Sequence, residues 1–157
     1  MSGFTRRSRW FQVAGGFLLA SMGYGSFKIE HVRGHHQNVA TPEDASSAEM
    51  GQSFYRFFPQ AVIRNISLAA RMETERLAKK RTGFWNIQNE FLIWSSISFL
   101  IAFLMTTHYG FSGLVFFFGQ SLIAVFLLET VNYIEHYGLR RTIRETGKYE
   151  PPGPKHS

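Results

Sequence analysis

Three histidines, His31, His35 and His36, fall within six residues of the stretch EHVRGHHQNVATPEDA, residues 30–45. Neutral imidazole is a good ligand for iron, zinc or copper, so histidines at this density suggest a metal site. On a helix His31 and His35 are i and i+4 and share one face, a turn apart. His36 points about 140° away from His31 on the same helix. One ion is therefore easily shared by His31 and His35. His36 reaches a second ion alongside, or the same ion after some local unwinding. The competing reading is a solvated histidine cluster on a basic helix.

A second constellation lies in LETVNYIEHYGLRR, residues 128–141. Glu129, Asn132 and His136 recur at i, i+3 and i+7 and share one helical face. A carboxylate this deep in an apolar helix is costly, and polar groups inside a membrane usually serve a function. The alternative is a structural hydrogen bond to a neighbouring helix.

Both constellations need elements to carry them. From Phe91 to Leu128 there is no Asp, Glu, Lys or Arg. The glycine-bearing HYGFSG interrupts this run, as a tight turn would. The halves, 91–107 and 111–128, are each at the short end of what spans a bilayer core of about 30 Å. A chain of 157 residues has little protein in which to bury two wholly apolar helices. A transmembrane hairpin follows, and with it an all-α membrane protein whose remaining helices are interfacial or cytoplasmic. RMETERLAKKR precedes the pair and RRTIRETGK follows it, while the turn between them is uncharged. By the positive-inside rule both flanks are cytoplasmic, and two crossings return the chain to the side it left. This puts His31, His35, His36 and His136 on one side of the membrane.

The flanks also account for much of the net charge of +6. No aromatic-interleaved basic patch argues for nucleic acid instead. There is no Cys, hence neither disulfide nor thiolate metal site. Residues 10–29 read as an apolar helix that lies in or dips into the cytoplasmic interface. Residues 30–81 form the cytoplasmic region with the histidine box, and 129–157 a cytoplasmic segment. Thr41 is a candidate N-cap, with Pro42 at the first helical position and Glu43 and Asp44 at the positive end of the dipole. Residues 53–70 mix aromatic, basic and aliphatic types, as a helix at a headgroup surface would. KYEPPGPKHS is a loop.

EHVRGHHQNVATPEDA, followed by GQSFYRFF and then NYIEHYGL, resembles the integral-membrane alkane 1-monooxygenases of the membrane desaturase and hydroxylase superfamily. The resemblance runs over nearly the whole chain, AGGFLLASMGYGSFKIEH included, and NYIEHYGL separates this group from the fatty-acid desaturases. It implies two non-haem iron ions in a histidine-rich shell, with His31, His35, His36 and His136 as ligands. Glu30, Asn132 and Glu135, and with them the deep Glu129, become candidates for orienting those imidazoles through their other ring nitrogen. The implied reaction is terminal hydroxylation of medium- or long-chain n-alkanes to 1-alkanols with O2. Rubredoxin and rubredoxin reductase would deliver the electrons, and the location would be the bacterial inner membrane.

The family also carries an H-E-x-x-H box before this region and an H-x-x-H-H box after it, and neither is present here. His108 in the turn and His156 in the terminal loop do not replace them. The expectation is a central fragment or partial copy of a hydroxylase, inactive on its own. Two other classes fit less of the pattern. One is a membrane hydroxylase of aromatic methyl groups or a fatty-acyl desaturase. The other is a non-enzymatic membrane protein that binds zinc or no metal.

Overall fold

The computed structural model describes residues 9–153, and every described element is helical. His156 lies outside the described residues. The order is α1 (Arg9–Ser21), α2 (Phe27–Glu30), a π-helical turn (His31–His35), α3 (His36–Asn38), α4 (Phe54–Lys79) and α5 (Glu90–His136). An isolated bridge between Ile143 and Tyr149 is the one extended pairing among the described residues.

α5 is the one described helix long and apolar enough to cross a membrane. Drawn straight, its 47 residues would reach about 70 Å. Yet both of its ends meet the same short turn: Glu90 pairs with Arg33, and the His136 ring lies against that of His35. The helix therefore doubles back, and it does so at Gly110, where φ is 61° and ψ is −149°. That conformation is essentially open to glycine alone. The sequence predicts the break in HYGFSG, and this is the residue that makes it. The Asn89 side chain accepts a hydrogen bond from Leu92 N–H (3.2 Å) and starts the first arm. His108 sits exposed beside the reversal, at the far end from His31, His35, His36 and His136.

The described part of α1 spans 13 residues. It packs on both arms. Ser98 Oγ and Gln120 Nε2 donate to the carbonyls of Ala20 and Ser21. Trp94, Ala20, Ile29 and Ala69 form the core where α1, α2, α4 and α5 meet. α4 buries Phe57, Ala61, Asn65, Ala69, Glu73 and Leu77, one residue every four, so a single stripe faces inward. Asn65 and Glu73 lie on that stripe and are wholly buried.

One sequence expectation fails. No helix starts at Thr41, and residues 41–53 run as turns and irregular chain. Thr41 Oγ1 donates back to Asn38 O (2.7 Å), and Asp44 is engaged by His35, Ser46 and Ser47 rather than by a helix N-terminus. The next helix waits for Phe54, with Ser53 at its N-cap position. The tail after His136 folds back on this loop. Gly138 N–H donates to Ala48 O, Arg141 N–H to Ala40 O, and the Arg141 guanidinium to Gln37 O (2.8 Å).

Candidate metal centre

The histidine box is a π-turn. The His36 N–H donates to His31 O, five residues back, and this widened turn changes the angular spacing. On an α-helix His36 would diverge from His31. Here the two rings are 4.7 Å apart, centroid to centroid, and His31 and His35 stack at 5.1 Å. The unwinding left open by the spacing is thus the arrangement adopted. At Gly34 the tips of two side chains come close to the backbone. A Cβ there would lie 2.6 Å from Met72 Cε and 2.8 Å from Glu30 Oε1.

His136 arrives from the end of α5 and stands 4.7 Å from His35, centroid to centroid. Four imidazoles from two distant stretches of chain thus form one cluster. His35 and His136 are buried and His36 is exposed. Burial, with His35 and His36 adding to it, lowers the His31 pKa to about 4, so this ring is neutral at physiological pH. Burial also acts against a charge on His35, but the Asp44 carboxylate outweighs it and raises that pKa. Both Asp44 oxygens lie at hydrogen-bond distance from His35 Nδ1, at 3.0 and 3.1 Å. Asp44 is in turn fixed by Ser46 N–H and Ser47 Oγ. A carboxylate on Nδ1 selects the tautomer whose Nε2 lone pair is available, the usual support of a ligating histidine.

The candidate orienting residues are placed as follows. Glu30 is buried beneath the cluster, and neither of its oxygens has a hydrogen-bond partner. Burial, followed by the charge of Asp44, raises its pKa to about 7. Glu129 and Asn132 are buried on one face of α5 with His136, but they bond to each other rather than to an imidazole. Glu129 Oε1 accepts from Tyr24 Oη (2.7 Å) and Asn65 Nδ2 (3.3 Å), and Oε2 from Asn132 Nδ2 (3.1 Å). Glu135 points to the exposed side of the helix.

Sequence reasoning missed Asp44 as a histidine partner. It also missed a charged clasp behind the box. Arg33, inside the π-turn, bonds Glu73 (2.6 Å) and also reaches Glu90. Glu73 further accepts from Arg76 and from the Glu90 backbone N–H (2.7 Å). Burial opposes the charge on Glu73, but these donors hold its pKa down to about 2. Turn, α4 and α5 are thereby tied at one point. The available signal was positional: Asn65 and Glu73 interrupt an otherwise apolar or small stripe at i and i+8.

Among the described residues no group of three or more His, Cys, Asp or Glu side chains stands in a geometry that could hold a metal ion. The chemistry of the donor set nonetheless suits one. It offers four imidazoles, a buried His31 Nδ1 and two buried Glu30 oxygens without hydrogen-bond partners, and an oriented His35.

The fatty acid desaturase family model matches residues 1–155. The chain is 49% identical to alkane 1-monooxygenase 2 of Pseudomonas aeruginosa over 146 residues, 93% of this chain and 39% of that protein. It is 46% identical to alkane 1-monooxygenase 2 of Alcanivorax borkumensis over 143 residues, 91% of this chain and 37% of that protein. The xylene/toluene monooxygenase hydroxylase component of Pseudomonas putida is 30% identical over 149 residues, 87% of this chain and 37% of that protein. This chain belongs to the fatty acid desaturase family. It spans less than two fifths of the length of these relatives. Family membership and the long apolar helix point to a membrane protein, and the family implies a metal cofactor.

Proposed function

We propose that this chain is the central, histidine-bearing part of an alkane 1-monooxygenase of the bacterial inner membrane. The observation that carries the reading is the meeting of His136 with His31, His35 and His36 in one cluster. The similarity to alkane 1-monooxygenases over most of the chain supplies the substrate class. The reaction converts an n-alkane, O2, two electrons and two protons to a 1-alkanol and water. Rubredoxin, itself reduced by rubredoxin reductase, is the electron donor in this reading. The cluster faces the cytoplasm, where the basic flanks of the hairpin lie.

His31, His35, His36 and His136 would hold two iron ions, whose chemistry when bound is the activation of O2 for insertion into a terminal C–H bond. Four imidazoles do not complete the shells of two ions, so the proposal assigns this chain part of the ligand set. The chain's own contributions are distinct. His31 is neutral and needs no proton removed before it binds. Asp44 turns His35 so that Nε2 is free. Arg33 and Glu73 fix the π-turn that brings His36 round. An apolar groove of about 460 Å³ opens beside α5, lined by Tyr24, Pro59, Ile63, Phe117, Leu122 and Val125 among others. It suits a hydrocarbon chain, which has no polar handle and is concentrated in the bilayer.

The test is product analysis on the full-length protein in lipid nanodiscs, loaded with iron and given reduced rubredoxin, O2 and n-octane. The expected result is 1-octanol, with a Mössbauer spectrum of coupled ferric ions in the resting protein. An alkene from a fatty-acyl substrate, or benzyl alcohol from toluene with octane untouched, would replace the substrate class. A protein that takes up only zinc would contradict the enzyme reading altogether.

A further inference from the structure

A column of stacked rings leads away from the histidine cluster. His35 stacks on His31 at 5.1 Å and 12°, and His31 on Phe27 at 5.1 Å and 23°. Phe27 stacks on Tyr24 at 5.3 Å and 25°. Tyr24 is 2% exposed and donates its hydroxyl proton to Glu129 Oε1. We propose that Tyr24 is redox-active, giving one electron to the oxidised metal centre through Phe27 and the histidines when no hydrocarbon is present to be oxidised. This rests on the reading of His31 and His35 as metal ligands.

The chemistry balances on groups in the fold. Tyr24 would lose one electron, and a bound metal centre that O2 has oxidised would accept it. The phenolic proton crosses the 2.7 Å hydrogen bond to Glu129, leaving a neutral tyrosyl radical beside a carboxylic acid. An electron from the enzyme's donor, with the proton returned from Glu129, restores the phenol. Oxidising a buried phenol without a base nearby would create a buried cation, which is costly. Glu129 supplies that base. It accepts hydrogen bonds from Tyr24, Asn65 and Asn132, so its Oε1 is held in place to take the phenolic proton. Tyr24 also lines the apolar groove, so the electron source stands where absence of a substrate is felt.

Trp94 is the other large oxidisable ring in the core, and its surroundings are opposite. Its Nε1 has no acceptor, and the Lys28 ammonium sits 4.6 Å from the ring centroid. A positive charge over the ring disfavours its oxidation. The column therefore ends at Tyr24.

The experiment uses iron-loaded full-length protein in nanodiscs, reduced, mixed with O2 without hydrocarbon, and freeze-quenched for electron paramagnetic resonance. Metal content is measured on the same samples. The expected result is an organic radical whose hyperfine pattern changes with ring-deuterated tyrosine, which is lost in Tyr24→Phe and kept in Trp94→Phe. No radical from iron-loaded protein, or an unchanged radical in Tyr24→Phe, would overturn the proposal. If Tyr24→Phe fails to hold iron, Glu129→Gln decides. It retains an accepting oxygen but takes up no proton, so the radical yield must fall, and an unchanged yield refutes the proposal. If wild-type protein binds no iron at all, the ligand reading fails and this proposal fails with it, an outcome the metal analysis separates from the others.

Discussion

The closed end of the α5 hairpin, around Gly110, and its open end, around Glu90 and His136, are held by different forces. At the closed end Tyr109, Phe111, Val115 and Phe116 are 54–77% exposed. At the open end Glu129, Asn132 and His136 are at most 6% exposed, and each lies among polar groups. The first region offers apolar surface to its surroundings and asks little of the rest of the chain. The second removes charged and polar groups from solvent and must satisfy them internally. Lipid can stand in for missing protein contacts at the closed end, whereas no bilayer can replace the partner of Glu73 or His35.

The sharpest way to break this contrast is at Glu73. Glu73→Gln leaves Arg33 and Arg76 without their shared carboxylate, and because both arginines are partly exposed and Arg33 keeps Glu90, the cost is about 1–3 kcal/mol. Denaturant unfolding in micelles, read by helical circular dichroism, measures the loss. The wild-type carboxylate has a pKa lowered to about 2 from an ordinary 4.5. Its stabilisation is therefore complete above about pH 4.5 and disappears as pH falls towards 2, and the Gln variant should lack that acid-dependent step.

Asp44→Asn removes the charge behind His35 while keeping an accepting oxygen. Loss of such a partner lowers metal affinity about 10–100-fold, with helical content unchanged. A competitive chelator titration reads this directly.

Gly110→Ala forces a side chain into a glycine-only conformation and should cost about 1–3 kcal/mol. Its signature is selectivity: the hairpin is strained, yet iron content stays at the wild-type level because the reversal is remote from the cluster. Phe116→Leu, on the exposed surface of the second arm, should change stability by less than about 0.5 kcal/mol. A large effect there in nanodiscs would mean that this face packs on protein rather than lipid.

The same contrast governs what was legible in the sequence. The hairpin was readable because an uncharged run, a glycine-bearing break and basic flanks are local and compositional. The histidines were readable as residues, but their geometry was not. Helical spacing sends His36 away from His31, and only the π-turn, with its i→i+5 bond, gathers them. Asp44 looked like a dipole-favouring residue at a helix start. It serves His35 instead, because a buried imidazole offers it a stronger partner than solvated backbone N–H groups do. The Arg33–Glu73–Glu90 clasp joins residues far apart in sequence, and no local pattern encodes it. Glu129 was singled out as costly to bury, and its cost is met by Tyr24, Asn65 and Asn132 rather than by a histidine.

The central claim is that His136 completes one metal site with His31, His35 and His36. Iron bound per full-length protein, compared among wild type, His35→Ala, His136→Ala and the double variant, tests it most directly. One shared site predicts that either single change strips most of the iron and that the double variant is little worse than either, since the two act as a unit. Wild-type iron content in His136→Ala, or losses that simply add, would contradict it.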